Sequence, residues 1–349
     1  MFTLCSLLNP AEFELWYTLI WFSWAKPGIL LPAGVFMLEF YKNQEFDLQR
    51  IDEILPNCWI NAVKPTAEEI EKIAALGIPQ DFVTYPLDMD ERPRIEEEDD
   101  GTILIVVRIP TSHPQDDPDI PYGTMPLGII LADKYIVTVC SQPTSILDAF
   151  SSGKITKLST TKRYRFTLRL LMAVTNRFLD ALRDINKLTD KLEDMLSSTM
   201  KNDVLIKLFK CQKSYVYFSQ GLKQNELVLV KMSRLPGFKK FEEDEDLLQD
   251  VITENTQAID MTSISSDILS GMMDAFASVI SNNLNVVMKL LASVTIILEL
   301  PNIITGFLGM NVNFSGALLD SPAFPVIIML FLAVLIGVAI WIFYRKDWF

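Results

Sequence analysis

The chain has 349 residues, half of them apolar and 21% charged, with a mean hydropathy of +0.25. This length suits about two domains of ~150 residues each, and the hydropathy indicates a membrane protein with a soluble part. The formal net charge of −13 argues against nucleic acid as a partner, since nucleic-acid binding needs a basic face. The same charge is compatible with a protein that handles cations.

The residues that most enzyme classes need are scarce. The only histidine, His113, lies in a loop rich in Pro and Asp, so a His-rich zinc or iron site is excluded. The four cysteines have neither zinc-ligand spacing nor the density of a disulfide scaffold, which predicts a cytoplasmic location for the soluble part. The sequence contains no P-loop, G-x-G-x-x-G or G-x-S-x-G. We therefore expect neither an enzyme nor an organic cofactor.

Residues 1–36 form an N-terminal extension of unusual composition. The apolar run Leu15–Ala25 ends at Lys26 after eleven residues, too few to cross ~30 Å of hydrocarbon as a helix. The extension also lacks the basic start and cleavage site of a signal peptide. Because the composition becomes ordinary at Met37, we expect the protein to start there, with 1–36 as translated upstream sequence. The alternative is a segment lying on the membrane surface.

Residues 37–155 are typical of a cytoplasmic α/β domain. Thr66 and Glu69 have the spacing of a capping box and Gly77 suits a C-cap, which predicts a short helix over 66–76. Runs rich in β-branched and apolar residues predict strands, the second and third joined as a hairpin. These runs are Thr102–Ile109, Leu127–Leu131 and Tyr135–Cys140.

The sequence predicts a helical hairpin over residues 156–236. Apolar residues recur every three or four positions from Leu168 to Met195 and again from Leu205 to Leu229. Asn202 and Asp203 mark the break, and Pro236 ends the second run. Two long antiparallel helices are the simplest structure with this pattern.

The sequence predicts that residues 237–308 form one long helix, the stalk and pore helix. Glu242–Leu308 contains one proline, Pro301, and no loop cluster, so one helix of about 100 Å is expected, with a bend near the proline. Acidic residues at its start suit a helix N-terminus. Its last nineteen residues, 290–308, are apolar enough to form a first membrane span.

A second span, 324–344, follows a short loop, 309–323. The span has no charged residue and the loop has no Lys or Arg, whereas Arg345 begins a basic tail over 345–349. By the positive-inside rule, both termini are cytoplasmic and the loop is outside. We therefore expect a multi-pass protein of the cell (inner) membrane.

The first span and the helix before it carry a polar seam at seven-residue spacing. All of its ten positions except Met288 are small or polar: Asp274, Ser281, Met288, Thr295 and Asn302 on one line, and Ser278, Asn285, Ala292, Glu299 and Gly306 on the other. Such a seam suits either close helix–helix packing or a ring of helices around a water-filled path. Glu299 favours the path, because a carboxylate in mid-membrane costs at least ~3 kcal/mol and the nearest upstream cation, Lys289, is ten residues away.

The first span ends in Gly309, Met310 and Asn311. A Gly-Met-Asn at this place resembles the signature of the CorA family of magnesium transport proteins. The similarity to that family also includes the order of the domains and helices along the chain. It extends to Asp274 and to the stretches 267–271, 281–283 and 287–291. The resemblance covers residues 37–349.

The resemblance implies a funnel-shaped homopentamer with the long helix around the pore and the second span in an outer ring. Asn311 would meet hydrated Mg²⁺ at the outer mouth, because Mg²⁺ gives up water reluctantly. The implied pore lining is Asn285, Met288, Ala292, Thr295, Glu299, Asn302 and Gly306. Cytoplasmic Mg²⁺ bound between subunits would hold the channel shut, with Asp250 and Asp274 as acidic positions. Asp116, Asp117 and Asp119 are candidate partners of Asp250.

Two departures from the family pattern concern the pore. Leu308 stands where an aromatic residue is common before the motif, and Glu299 stands where an apolar constriction is usual. An error of one position in register would instead put Glu299 between helices. The function implied is a magnesium channel driven by the membrane potential, with cobalt and nickel as further ions. The alternatives are a zinc transporter of the related branch, against which Met310 argues, and a non-conducting, membrane-anchored coiled-coil scaffold.

Overall fold

A computed structural model describes residues 37–44, 47–112, 114, 117, 119–153, 155, 158–199, 202–310, 324–346 and 348. The extension 1–36, His113, Asp116 and the outer loop from Asn311 to residue 323 lie outside the described residues. The expectations for those parts of the chain therefore stay predictions.

Seven strands and seven helices are described. The strands are β1 Met37–Gln44, β2 Asp47–Ile51, β3 Cys58–Val63, β4 Arg94–Glu97, β5 Ile103–Thr111, β6 Gly123–Leu131 and β7 Tyr135–Cys140. The helices are α1 Ala67–Ala74, α2 Gln80–Thr84, α3 Ser145–Ser151, α4 Arg163–Thr199, α5 Asn202–Met232, α6 Glu242–Leu308 and α7 Phe324–Arg345. Short 3-10 turns occupy Tyr85–Leu87 and Pro236–Lys239.

The described residues fall into two compact units. The first contains the chain up to Ile109 together with Met125–Ala173 and Leu227–Asp250. The second contains Pro110–Thr124, Val174–Glu226 and the chain from Val251 onward.

The first unit is built on one sheet with the order β2-β1-β3-β7-β6-β5-β4. β3 and β7 pair in parallel, whereas β1 pairs antiparallel with both β2 and β3, and β6 with β7. The central strands are apolar and almost wholly buried, as expected for a sheet covered on both faces. The fold of this unit is therefore α/β, as predicted.

Alternate residues of β3 lie in two different layers of the core, because neighbouring side chains on a strand point to opposite faces. Ile60 packs in a cluster with Ile73 of α1 and Phe82 of α2. Trp59 packs against Phe150 of α3 and Phe166 of α4, at ring-centroid distances of 6.2 and 5.4 Å. Helices thus cover both faces of the sheet.

The predicted β6–β7 hairpin is confirmed, with β6 starting four residues earlier than expected. The helix predicted over 66–76 is shorter than expected, because α1 runs only from Ala67 to Ala74. The capping box is confirmed: the Thr66 N–H donates to Glu69 Oε2 over 2.8 Å, and the Glu69 N–H donates to Thr66 Oγ1. The C-cap is Ala75 rather than Gly77, which lies two residues beyond with φ of +90°.

The second unit is helical. The rings of Phe178 in α4 and Phe218 in α5 meet edge to face at 5.0 Å, and the Tyr215 hydroxyl donates to Asn186 over 2.6 Å. These contacts join the two antiparallel helices that the sequence predicted. α6 runs antiparallel to α5, since Asn255 bonds to the carbonyl of Leu222 and Ser270 bonds to Gln212.

α6 extends without interruption from Glu242 to Leu308, the limits that the sequence predicted, and it continues across Pro301. α7 begins at Phe324 and ends at Arg345, one residue after the predicted span. Both helices are long and apolar enough to cross a membrane.

Candidate functional site

All ten residues of the polar seam are exposed on the single chain. Within the span, Thr295, Glu299 and Asn302 therefore face away from the rest of the described molecule. Other positions of the span are exposed and apolar, including Leu291 and Leu298. One helix thus presents a narrow polar stripe bordered by large apolar side chains.

The covered face of the span lies on the other side of α6. Ser293 is fully buried, and Ile297, Leu300 and Ile304 are half-buried. At 100° per residue these four positions point about 150° away from the seam. Ile304 lines an apolar cleft with Phe324 of α7, which identifies α7 as the helix on this face. The second span consequently leaves the seam uncovered.

Hydroxyl groups in the span are satisfied within the helix. Ser293 donates to the Leu290 carbonyl over 2.8 Å, Thr295 to that of Leu291 over 2.8 Å, and Thr305 to that of Pro301 over 2.9 Å. Such bonds to a preceding carbonyl are the usual way for Ser and Thr to enter hydrocarbon.

The Gly-Met-Asn motif begins as α6 ends. The Gly309 N–H donates to the Thr305 carbonyl over 2.9 Å, and the Met310 N–H donates to that of Phe307 over 3.3 Å. A Cβ atom at Gly309 would lie 3.2 Å from the Thr305 oxygen, closer than most side chains tolerate. Glycine therefore suits this last turn. Asn311, the predicted selectivity residue, lies outside the described residues.

The two predicted regulatory acids, Asp250 and Asp274, are exposed on α6. The described part of the chain contains no group of three Asp, Glu, His or Cys side chains placed to hold a metal ion. A metal bound at either acid would need additional ligands from water or from another copy of the chain.

Two of the candidate partners of Asp250 are engaged by a lysine. The Lys210 ammonium lies 2.5 Å from an oxygen of Asp119 and 3.6 Å from an oxygen of Asp117. This arrangement could not be predicted from the sequence, because Lys210 is one of several lysines on the predicted second helix.

The acidic start of α6 holds an ion pair with a buried carboxylate that the sequence also left undetected. Asp244 is 3% exposed, and its carboxylate accepts from the Arg165 guanidinium over 2.5 Å. Arg165 also contacts Glu243 at 2.6 Å. The hydrogen bond to Asp244 raises the pKa of Arg165. Glu243 and Asp244 therefore pair with Arg165 in addition to lying at the helix N-terminus, where acidic residues were expected.

Comparison with known proteins agrees with this geometry. The family model of the CorA-like Mg²⁺ transporter protein matches residues 56–345. The chain is 30% identical over 302 residues to the cobalt/magnesium transport protein CorA of Methanocaldococcus jannaschii, covering 83% of this chain and 90% of that relative.

Solved structures show the same fold. The complete structure of the CorA magnesium transporter from Methanocaldococcus jannaschii matches with a TM-score of 0.77 and 26% identity, over 92% of this chain and all of that one. The cytoplasmic domain of ZntB from Vibrio parahaemolyticus matches with a TM-score of 0.53 and 12% identity, over 72% of this chain and 98% of that one. The ZntB likeness concerns the fold alone.

An α/β unit, a helical hairpin and one helix that continues into the first of two apolar spans define the architecture of a divalent-cation transport protein. The chain belongs to the CorA-like Mg²⁺ transporter family.

Proposed function

We propose that this chain is a magnesium channel of the cell (inner) membrane, with both termini in the cytoplasm. Mg²⁺ would enter down the membrane potential, which is worth ~4.6 kcal/mol for a divalent ion at 100 mV. Co²⁺ is proposed as a second cargo, because the relative from Methanocaldococcus jannaschii is named a cobalt/magnesium transport protein. Ni²⁺ is the third ion to test.

The observation that carries the proposal is the direction of the seam. Its residues within the span point away from the face that α7 covers. A helix of this kind in lipid must hide its polar stripe. In a ring of copies with α7 outside, the stripes turn toward a common axis and the apolar flanks pack against neighbours.

The chemistry of the stripe suits hydrated cations. Asn285, Thr295 and Asn302 offer neutral oxygens, which can hold Mg²⁺ through its water shell without trapping it. Glu299 adds negative charge at one level of the path and attracts cations. Asn311 is proposed to select the ion at the outer mouth, beyond Gly309 and Met310. Met288, Ala292 and Gly306 complete the lining.

The proposed assembly is a homopentamer, the number that the family resemblance implies. Cytoplasmic Mg²⁺ bound between neighbouring subunits at Asp250 and Asp274 would hold it closed. These carboxylates fit the role, since they are exposed oxygen donors and Mg²⁺ prefers carboxylate and water oxygens. Loss of the ion would leave like charges facing one another.

The test is Mg²⁺ entry into liposomes that contain the purified protein, a Mg²⁺-sensitive dye and a K⁺ diffusion potential, negative inside. We expect entry with the wild type and its loss in Asn311→Ala. Ser293→Ala is the matched control, because it removes a polar side chain of the same span on the covered face. This control should conduct like the wild type.

Absence of Mg²⁺ entry from folded oligomers, even with internal Mg²⁺ chelated, would contradict the proposal. Entry of Zn²⁺ alone in the same assay would identify a zinc transporter instead. If no divalent ion enters and the oligomer is indifferent to metal, the scaffold interpretation holds.

A further inference from the structure

A short segment between β5 and β6 is held on the helical hairpin of the second unit. This segment, Asp119–Tyr122, is called the strap below. The Tyr122 N–H donates to Ser214 Oγ of α5 over 3.1 Å, and the Tyr122 hydroxyl donates to Asp184 Oδ2 of α4 over 3.1 Å. The Tyr122 ring lies 6.0 Å from that of Phe218. One residue thus attaches the strap to both helices.

The second attachment is ionic. Lys210 of α5 donates to Asp119 Oδ2 over 2.5 Å and lies 3.6 Å from Asp117 Oδ1. The Asp119 N–H donates to Asp117 Oδ1 over 3.0 Å, which holds the two acidic residues side by side. The Lys210 ammonium is therefore shared by two carboxylates of the same loop.

The electrostatics agree with this geometry. The hydrogen bond from Lys210 lowers the pKa of Asp119, and the same bond raises the pKa of Lys210. Asp119 and Lys210 also line an open cleft of about 450 Å³, so that dissolved ions reach both groups. Neighbouring carboxylates open to solvent are a ligand type that Mg²⁺ takes, and here a positive charge already sits beside them.

We propose that Lys210 is a built-in counter-ion that holds the strap on α5 without any divalent cation. It thereby withdraws Asp117 and Asp119 from the sensing of cytoplasmic Mg²⁺. This withdrawal from sensing rests on the proposed function, in which Mg²⁺ binds at Asp250, because the sequence makes these two acids candidate partners of Asp250.

A tethered ammonium has an advantage over a dissolved ion at this place. Lys210 is attached to α5, so its effective concentration at the two acids is fixed by the fold. Mg²⁺ would have to shed part of its water shell to bind them directly, which it does reluctantly. The acid pair therefore keeps its partner whether cytoplasmic Mg²⁺ is high or low.

The test is hydrogen exchange of the full chain in detergent, read by mass spectrometry on peptides that cover the strap. We expect the wild type to exchange equally slowly in EDTA and in millimolar Mg²⁺. In EDTA, Lys210→Gln should exchange about fivefold faster, the size of effect that loss of an exposed ion pair produces. Lys210→Arg should behave like the wild type.

Lys213→Gln is the matched control, because it removes one positive charge from an exposed position three residues along α5. It should leave the strap protected. Asp119→Asn is the second variant, since a side chain that is 76% exposed can be changed with little risk to folding. It should accelerate exchange in the same direction as Lys210→Gln. Amides around Phe178 in α4 report whether each variant is folded.

Two results would overturn the inference. One is a wild-type strap whose protection falls in EDTA and returns with Mg²⁺. The other is a folded Lys210→Gln or Asp119→Asn chain whose strap stays fully protected in EDTA. Neither exchange readout depends on conduction. A failure of Mg²⁺ entry in liposomes would therefore leave the exchange result on the strap unaffected. A failure of the exchange test would likewise leave the Mg²⁺ entry result unaffected.

Discussion

Arg165 and Asp244 join the first turn of α4 to the first turn of α6. Their guanidinium and carboxylate groups lie 2.5 Å apart, and the Asp244 side chain is 4% exposed. The contact belongs to the first unit, where Tyr164 and Phe238 also meet edge to face at 4.9 Å. The stalk helix therefore starts from a fixed point rather than from a loose linker.

We predict that Arg165→Met destabilises the protein by about 3 kcal/mol, because it leaves a buried carboxylate without its charge partner. The melting temperature of the detergent-solubilised chain, followed by tryptophan fluorescence, should fall by about 4 °C. Arg183→Met is the control, since Arg183 pairs with Asp180 while both side chains are more than half exposed. Equal losses in the two variants would show that the buried pair has no special weight.

We predict that Glu299→Gln weakens Mg²⁺ entry by about tenfold at low ionic strength and less at high ionic strength, because in the proposed pore a ring of carboxylates would concentrate cations by screened electrostatics. The liposome assay run at two salt concentrations measures this difference. Thr305→Val is the control, because it removes a hydroxyl from the same span outside the seam. Unchanged flux at both salt concentrations would place the Glu299 carboxylate between helices instead of in the path.

We predict that Gly128→Ala is strongly destabilising, by about 2–3 kcal/mol. Gly128 lies in the middle of β6, and an added Cβ would overlap the ring of Pro86 and lie 2.9 Å from its Cβ. Gly271→Ala, with nothing within 4 Å of the new atom, should be neutral or stabilising in the free chain, because alanine favours a helix. Thermal unfolding that ranks these two variants in the opposite order would refute the packing argument.

We predict that the three described cysteines resist alkylation in the native protein at pH 8. Cys58, Cys140 and Cys211 are buried, and burial raises the pKa of each thiol, that of Cys140 to about 12. An unfolded thiol ionises near pH ~8.5. The stabilisation of the folded state by each buried neutral thiol is therefore fully present below that pH. It is lost as the pH rises through the folded-state pKa. Iodoacetamide labelling read by mass spectrometry should modify these thiols only in denaturant, and labelling of native Cys140 at pH 8 would contradict the prediction.

Features that arise from local pattern could be predicted from the sequence. The limits of α6 follow from the absence of Gly and Pro breaks over 242–308, apart from Gly271, Gly306 and Pro301, which a helix tolerates within favourable surroundings. The β6–β7 hairpin follows from two apolar runs around a three-residue turn. The α/β class follows from the alternation of such runs with helical segments.

Features that depend on pairing between distant parts of the chain could not be predicted from the sequence. β3 lies beside β7 in parallel although more than seventy residues separate them, and no local signal encodes such a choice. The same pairing brings the Trp59 indole N–H to Thr138, which donates in turn to Asn61. Sequence spacing cannot show these contacts.

The candidate site also contains features that the sequence predicts and features that it does not. The alignment of the polar residues in one stripe of α6 could be predicted, because it depends only on helical periodicity, whereas the position of α7 on the opposite face depends on packing. The ion pairs Arg165–Asp244 and Lys210–Asp119 could not, because each depends on which turn of one helix meets another part of the chain. The identity of the partner of Asp250 also stays a prediction.

α6 runs as one helix from Glu242 to Leu308, although Pro301 within it has no N–H to donate. A helix of 67 residues is about 100 Å long, so one degree of tilt about its anchored first turn moves the far end by about 1.8 Å. In the proposed channel, a tilt of one degree about the turn that holds Asp244 would therefore move Asn302 by about 1.6 Å. A helix of this length converts a small angular change at one end into a displacement of atomic size at the other.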